Sequence, residues 1–203
     1  MIIIATNNNH KLDEYKKILG NSINIKCMSD FEVQIEPEEN GHSLVENAFI
    51  KAKTIYDELL NKKLIDKNDM VVADDTGLFI KHLDYAPGIY SARFLDLLCQ
   101  EEKNKVIVDM MKGVSDIEDR KAYFKTIIFL VSDDINKAFE GKVDGYISDK
   151  VSGNKGFGYD SIFIPKIYIK DKKTYADIGN EKNEISHRRL AINSLLKFLK
   201  SEE

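Results

Sequence analysis

Two adjacent carboxylates, Asp74 and Asp75, follow the apolar run 71–73 and precede a threonine and a glycine. In α/β sheets, ligands bind beyond the carboxyl ends of the strands, and two acids at a strand tip suit a hard cation such as Mg²⁺. The alternative is an Asp-Asp-Thr-Gly turn between strands, since these residue types favour turns. Because successive strand side chains point to opposite faces, only one of the two carboxylates can face a given ligand.

A polar loop joins the apolar residues 2–5 to a predicted helix over residues 10–19. The backbone N–H groups of such a loop and the N-terminus of the next helix can bind a phosphate, and its lysine adds a positive charge. The loop lacks the pattern of a Walker phosphate loop, and an asparagine-rich turn is the alternative. Its residues are Thr6, Asn7, Asn8, Asn9, His10 and Lys11.

The segment 32–42 is acidic and irregular. Its residues Glu38 and Glu39 are candidates for a metal ligand beside Asp75, and plain solvation of these carboxylates is the alternative.

A capped helix is predicted next, because Ser43 and Glu46 have the spacing of a capping box. Its flank carries Lys51, which can either reach a phosphate or lie along the apolar face with its ammonium in water. The apolar face repeats at helical spacing and consists of Val45, Ala48, Phe49, Ala52, Ile55, Tyr56 and Leu59.

A glycine-containing loop over residues 148–160 places Phe157 between two glycines. Glycine lets a ligand approach the backbone closely, and an exposed ring can stack on a base. The alternative is a tight turn with the ring buried in the core.

Cationic side chains open the last predicted helix. His187 and Arg188 follow Ser186, and Lys182 lies five residues before His187. Arginine donors match the O6 and N7 acceptors of a purine, whereas Ser186 alone also fits an ordinary N-cap.

The elements that must position these residues are both strands and helices. Strand patterns cover 2–5, 23–28, 71–73, 122–131 and 138–147, with a hairpin connection at 133–136, and helical patterns cover 10–19, 45–59, 93–112 and 186–200. This mixture predicts an α/β fold with a mixed sheet rather than a purely doubly wound one.

Composition excludes several classes. The 203 residues are 43% hydrophobic and 32% charged with a net charge of −4, which argues against a nucleic-acid-binding module. Two distant cysteines, Cys27 and Cys99, suggest neither a disulfide framework nor a zinc site, and we expect them to be buried and reduced. No run has the length of a membrane span, and residues 1–5 are too short for a signal peptide. We therefore expect a cytoplasmic protein without membrane contacts.

The separate clusters describe one kind of ligand. Their cations are Lys11, Lys51, Lys182 and Arg188, their carboxylates are Glu38 and Asp75, and their stacking ring is Phe157. This set fits a metal-bound nucleoside triphosphate.

The chain resembles the inosine triphosphate pyrophosphatase family, the Ham1-like enzymes, from residue 2 to about residue 199. Six ordered motifs carry the resemblance: Thr6-Asn7-Asn8 with Lys11 and Glu14, Glu46-Asn47-Ala48 with Lys51-Ala52, Ala73-Asp74-Asp75-Thr76-Gly77-Leu78, Ala86-Pro87-Gly88-Ile89-Tyr90-Ser91-Ala92-Arg93, Gly156-Phe157-Gly158-Tyr159-Asp160 and Ser186-His187-Arg188.

The resemblance implies an elongated two-lobed α/β fold with a mixed central β-sheet flanked by helices, in which residues 1–203 form one domain around a central cleft. It implies hydrolysis of ITP, dITP and XTP to the monophosphate and pyrophosphate with Mg²⁺, by a homodimer that cleanses the nucleotide pool. By position, Asp75 would be the catalytic base and, with Glu38, a metal ligand. The implied substrate contacts are Thr6, Asn7, Asn8, Asn9, His10, Lys11, Lys51, Thr76, Phe157, Gly158, Tyr159, Asp160, Lys182, His187 and Arg188.

The sequence departs from the family pattern at two places. His82-Leu83-Asp84-Tyr85 stands where the family usually has Gly-Gly, and Ser161 stands where proline commonly follows Gly-Tyr-Asp. Two rival functions are a pyrophosphatase for modified pyrimidine triphosphates, as in the Maf-like proteins, and a nucleotide-binding regulator without turnover.

Overall fold

The structure is a computed structural model that describes residues 1–20, 24–31, 33 and 35–201. Strands in this part of the chain are β1 (Ile2–Ile4), β2 (Ile25–Cys27), β3 (Met70–Ile80), β4 (Pro87–Gly88), β5 (Lys121–Val131), β6 (Asn136–Ile147) and β7 (Phe163–Pro165). Helices are α1 (Asn9–Leu19), α2 (Leu44–Asn61), α3 (Gln100–Met110), α4 (Tyr175–Ile178), α5 (Lys182–Ile185) and α6 (His187–Ser201). None of these helices is long and apolar enough to cross a bilayer.

The sheet contains both parallel and antiparallel pairs. Its strands are hydrogen-bonded in the order β2-β1-β3-β5-β6-β7, with β4 paired to β3. Strand β1 is parallel to β2 and β3, whereas the pairs β3–β4 and β6–β7 are antiparallel. The prediction of an α/β fold with a mixed sheet is therefore confirmed.

The chain divides into two compact units. Unit 1 comprises Met1–Asp75, Thr126–Gly141 and Arg188–Glu203, and unit 2 comprises Thr76–Lys125 and Lys142–His187. The expectation of one domain around a central cleft stays a prediction.

Each unit has its own apolar core. In unit 1, the side chains of β1 alternate between two clusters, with Ile3 in the one that contains α2 and its neighbours in the one that contains α1 and α6. In unit 2, a single cluster packs aromatic residues of β5 and β7 against α3 and α4. Helices α1, α2, α3 and α6 thus each pack an apolar face against one of these cores.

Strand β3 runs through the carboxylate pair. Asp74 and Asp75 lie in its middle, so the predicted strand tip and the alternative turn are both wrong. The parallel neighbour β1 ends opposite Val72, which places the pair just beyond the carboxyl end of β1. Gly77 lets β4 approach, since a Cβ there would lie 2.5 Å from the carbonyl oxygen of Gly88.

The buried face of α2 differs from the predicted stripe. Val45 and Phe49 are 41% and 36% exposed, whereas Asn47 is fully buried. The helix is therefore rotated so that a polar amide replaces two apolar side chains. The buried residues are Leu44, Asn47, Ala48, Ala52, Ile55, Tyr56 and Leu59.

The ends of the first two long helices follow the predicted capping chemistry in part. Gly20 ends α1 with a left-handed φ of 63°. The Ser43 hydroxyl accepts a hydrogen bond of 3.1 Å from the backbone N–H of Glu46. The Glu46 carboxylate accepts a hydrogen bond of 2.6 Å from the N–H of His42 rather than from that of Ser43. The second hydrogen bond of the predicted capping box is therefore displaced by one residue.

Three further predictions differ from the structure. Helix α3 begins at Gln100 instead of residue 93, because Leu95 has a φ of 53°, which a right-handed helix cannot contain. Both cysteines are free, but Cys99 is exposed and Cys27 is half-buried. Cys99 lies in the N-cap position of α3 and Cys27 at the end of β2, where solvent has access. The strand predicted over 23–28 is shorter in the structure, where β2 spans Ile25–Cys27. Residue 23 lies outside the described residues.

The departure from the family's Gly-Gly has a conformational consequence. Asp84 and Tyr85 have φ values of 52° and 63°, the left-handed region in which glycine is strain-free. Aspartate tolerates this conformation because its short side chain bonds locally, whereas tyrosine does so rarely. The backbone therefore keeps a glycine-type turn with two larger residues.

Candidate functional site

Asp75 lies at the centre of a polar cluster in unit 1. Its Oδ1 is 3.1 Å from the Lys51 ammonium, and its Oδ2 accepts a 3.3 Å hydrogen bond from the Asn47 amide. The same ammonium is 3.3 Å from Oε1 of Glu39. Burial raises the pKa of Asp75, and the positive charges of Lys51 and Lys11 oppose this rise without cancelling it.

The donor set of this cluster fits Mg²⁺. Mg²⁺ is commonly held by one or two carboxylates together with substrate phosphates. Asp75 and Glu39 both contact the Lys51 ammonium, so the two carboxylates lie close enough together to stabilise one cation. No group of three or more acidic, histidine or cysteine side chains that could hold a metal by itself occurs within the described residues.

The structure places Glu39, rather than Glu38, beside this cluster. The Glu38 side chain is exposed. Its backbone carbonyl accepts a hydrogen bond of 3.1 Å from the N–H of Asn40. The assignment of Glu38 as a metal ligand stays a prediction, with Glu39 the better-placed carboxylate.

Asp74 faces the other side of β3 and joins a buried ion network. Its Oδ2 is 3.0 Å from the Lys11 ammonium and 3.0 Å from Nη2 of Arg188. Arg188 also pairs with Glu14, and only 1% of its surface is exposed. Burial would raise the pKa of Asp74, but the charges of Lys11 and Arg188 outweigh it and keep that pKa far below its usual range. The two carboxylates thus face opposite sides, as alternation predicts.

The loop before α1 is shaped by its own side chains. The Oδ1 of Asn8 accepts from the N–H groups of His10 and Lys11 at 3.0 and 3.2 Å, which makes Asn8 the N-cap of α1. The Thr6 hydroxyl accepts from the N–H of Asn8 at 3.2 Å. Beside the loop lies a cavity of about 350 Å³ lined by Thr6, Asn7, Asn9, Leu12, Cys27, Met28, Ser29 and Val33.

A second polar cluster lies in unit 2. The Oδ2 of Asp160 accepts from the Lys182 ammonium at 2.7 Å and from the N–H of Phe157 at 2.9 Å. The same ammonium lies 4.6 Å from the centre of the Phe157 ring and 5.6 Å from that of Tyr175. Phe157 is half-buried and lies outside the core cluster of unit 2.

The remaining predicted residues of unit 2 are held by packing and hydrogen bonds. His187 is buried and stacks on Phe124 with ring centres 4.5 Å apart. The Tyr159 hydroxyl donates to the carbonyl of Ser91 at 2.7 Å. The carbonyl of Gly158 accepts from Asn104 at 2.9 Å, and Thr76 is half-buried on β3.

The predicted residues therefore form three groups. In unit 1, Lys51 contacts Asp75, whereas Lys11 and Arg188 contact Asp74 on the other side of β3. In unit 2, Asp160 joins Phe157 and Lys182. Sequence reasoning missed Asn47, Glu14 and Tyr175 as their partners. For Asn47, the sequence signal was a polar amide at a position of α2 that packs inward.

Comparison with known proteins decides the family. A sequence model of the Ham1 family matches residues 2–198. The chain belongs to the Ham1 family. Among its relatives, this Ham1 protein is 41% identical over 202 residues to a dITP/XTP pyrophosphatase of Thermoanaerobacter pseudethanolicus, covering 98% of this chain and 96% of the relative. It is 38% identical over 204 residues to a dITP/XTP pyrophosphatase of Bacillus subtilis, with the same coverage of 98% and 96%.

Solved structures of Ham1 proteins share the fold. The Staphylococcus aureus Ham1 protein superposes with a TM-score of 0.82 at 35% identity, covering 100% of this chain and 99% of that one. A HAM1 protein from Coxiella burnetii gives a TM-score of 0.80 at 32% identity, covering 98% of both chains. The α/β architecture of this Ham1 protein is therefore that of its family.

Proposed function

We propose that this Ham1 protein hydrolyses non-standard purine nucleoside triphosphates, among them ITP, dITP and XTP, to the nucleoside monophosphate and pyrophosphate. The observation that carries the proposal is the buried Asp75 carboxylate paired with Lys51 beside Glu39. A buried carboxylate next to cations is suited both to a metal–triphosphate and to a proton-accepting role. Relatives named dITP/XTP pyrophosphatase, 36–41% identical, support the substrate class.

Hydrolysis at the α-phosphorus requires a proton acceptor and cations that bind the phosphates, and we assign these roles to residues of unit 1. Asp75 accepts a proton from the attacking water, while Lys11 and Lys51 bind the phosphate oxygens and stabilise the charge that develops on pyrophosphate. Mg²⁺, bound through Asp75 and a glutamate of the 38–39 pair, would supply further neutralisation of the leaving phosphates. The loop before α1 and its cavity give space for the phosphate chain.

We assign the polar cluster of unit 2 to binding of the nucleobase. A half-buried Phe157 ring offers a stacking surface that tolerates any base. Lys182 and Asp160 fix the loop around this ring, which limits the freedom of a stacked nucleotide. His187 is a proposed donor to the purine edge, whereas Glu14 and Asp74 hold Arg188 in the buried ion network of unit 1, so a contact of Arg188 with the base stays a prediction.

Selectivity among purines follows from the base edge. Donors to O6 and N7 favour hypoxanthine over adenine, whose 6-amino group offers no acceptor. Guanine has the same O6 and N7 edge, so it must be rejected at its 2-amino group. Burying that donor without a partner costs about 1–3 kcal/mol, which corresponds to roughly 5- to 150-fold in selectivity.

We further propose that Mg²⁺ is the cofactor, that the protein acts as a homodimer and that it works in the cytoplasm. The resemblance to the Ham1-like enzymes supports the first two, and the two free cysteines support the third. Sedimentation velocity at micromolar concentration tests the dimer, and pyrophosphate release with and without EDTA tests the metal requirement.

The products distinguish the proposed reaction from its rivals. With ITP and Mg²⁺, we expect IMP and pyrophosphate in equal amounts, measured by ³¹P NMR and chromatography. Release of inorganic phosphate with IDP would contradict cleavage at the α-phosphorus. Tight binding without turnover would favour the regulator, and preference for modified pyrimidines would favour the Maf-like activity.

Replacing Phe157 with alanine is expected to weaken nucleotide binding whatever the hydrogen-bonding pattern of the base. Stacking on an aromatic ring contributes about 1–3 kcal/mol per base, so the Kd for ITP and XTP should rise by roughly 5- to 150-fold. The Kd is measured by calorimetry with Ca²⁺ in place of Mg²⁺ to slow turnover. Ile167→Ala, at an exposed apolar residue of unit 2, is the control. An unchanged Kd together with a lower Tm would place Phe157 in a structural role.

A further inference from the structure

Asn47 is a buried amide with a defined partner at each end. None of its surface is exposed. Its Oδ1 accepts from the backbone N–H of Gly41 at 2.9 Å, and its Nδ2 donates to Oδ2 of Asp75 at 3.3 Å. Only this orientation of the amide matches a donor with an acceptor at both ends, because the flipped amide would direct its oxygen at a carboxylate.

The approach to Gly41 depends on the absence of a side chain there. A Cβ on residue 41 would lie 2.7 Å from Oδ1 of Asn47, which is shorter than van der Waals contact. The backbone of the acidic loop therefore comes against α2 at this residue.

Helix α2 connects the acidic loop and β3 through two side chains one turn apart. Asn47 contacts Gly41 and Asp75, and Lys51 contacts Glu39 and Asp75. Lys51 can turn toward a phosphate when a nucleotide binds, since its ammonium is on a flexible stem. Asn47 is buried and short, so its two bonds are the ones that persist.

We propose that Asn47 is a positioning residue that holds the 39–41 segment beside Asp75, so that the carboxylates of Asp75 and Glu39 bind one divalent cation. The inference rests on the proposed function, because it concerns the metal of that same site. Partners that orient metal-binding carboxylates typically change metal affinity or activity by about 10- to 100-fold when removed.

The test uses Asn47→Leu, which keeps the branching and the number of heavy atoms of the side chain and removes both hydrogen bonds. The control is Asn61→Leu, at an exposed asparagine near the end of the same helix. Mn²⁺ binding in the presence of pyrophosphate is measured by EPR, and kcat, KM and the Mg²⁺ concentration for half-maximal rate are measured with ITP.

We expect Asn47→Leu to bind Mn²⁺ about 10- to 100-fold more weakly and to need correspondingly more Mg²⁺, with KM for ITP at saturating Mg²⁺ nearly unchanged. Asn61→Leu should match the wild type. A lower Tm with unchanged metal constants would show a merely structural role and overturn the inference. So would a wild-type protein that releases pyrophosphate from ITP without binding Mn²⁺.

A second variant and the comparison of Mn²⁺ binding with ITP hydrolysis complete the test. If Asn47→Leu does not fold, Gly41→Ala displaces the amide from the loop side, and the same metal constants decide with the same expected direction. If the wild type binds Mn²⁺ and Asn47→Leu weakens it, but neither hydrolyses ITP, the positioning role stands and the proposed reaction fails.

Discussion

Asp75→Asn is expected to lower kcat for ITP by about 10²- to 10⁴-fold, the range that a general base contributes, and by more if metal binding is lost as well. The substitution preserves size and removes the charge that would bind metal and the group that would accept the proton. The fold should survive, because burial already disfavours the ionised form of Asp75 and Lys51 retains Glu39 as a partner. The measurement is kcat at saturating ITP and Mg²⁺.

The control for this substitution is Asp57→Asn, at a half-exposed carboxylate on α2 that pairs with Lys53. Its kcat should equal that of the wild type. Thermal melts establish that both variants fold. A folded Asp75→Asn protein that keeps more than about a tenth of the wild-type kcat, well short of the 10²-fold floor, would remove Asp75 from its assigned role.

Asp74→Asn is expected to affect stability more than turnover. It removes one acid from a buried network and leaves Lys11 and Arg188 with less compensation. Removing one partner of a buried ion pair typically costs about 3–5 kcal/mol, so the free energy of unfolding should fall by that amount at pH 7. Asp57→Asn, whose pair with Lys53 is half-exposed to solvent, should lose less than about 1 kcal/mol.

The pH dependence of this loss has a definite sign. The pKa of Asp74 is lower in the folded protein than its unfolded value, which is about 3.9. Ionised Asp74 therefore stabilises the fold above about pH 4, and the stabilisation is lost as pH falls through the folded pKa. Urea unfolding at pH 7 and pH 3 should show a smaller difference between wild type and Asp74→Asn at pH 3. A difference that is constant or grows in acid would contradict the ion network.

The long elements of the fold were predictable because their signals are local. Helical periodicity identified α1 and α6 close to their observed limits, and aromatic and β-branched residues followed by a hairpin connection did the same for β5 and β6. The short strands β4 and β7 were missed because two or three residues carry no periodicity and their pairing is with distant segments. The continuation of β3 through Asp74 and Asp75 was missed for a related reason: cations far along the chain compensate charges that otherwise favour a turn.

The candidate site was predictable in its residue types and only partly in its partners. Residue types together with the family resemblance indicated Lys51 and Asp75, and the structure brings them to 3.1 Å. The pairing of Arg188 with Glu14, 174 residues apart, follows from tertiary packing that no local pattern encodes. The choice between Glu38 and Glu39 depends on one residue of register in an irregular loop, which hydrophobic periodicity does not determine.

The most direct test of the central claim is pyrophosphate release measured across ITP, XTP, GTP and ATP with Mg²⁺, expressed as kcat/KM for each. The account predicts that ITP and XTP exceed GTP by roughly 5- to 150-fold, the cost of burying the guanine 2-amino group, and exceed ATP as well, because adenine offers no acceptor at position 6. Comparable kcat/KM for ATP and ITP would contradict recognition of the purine edge and with it the proposed function.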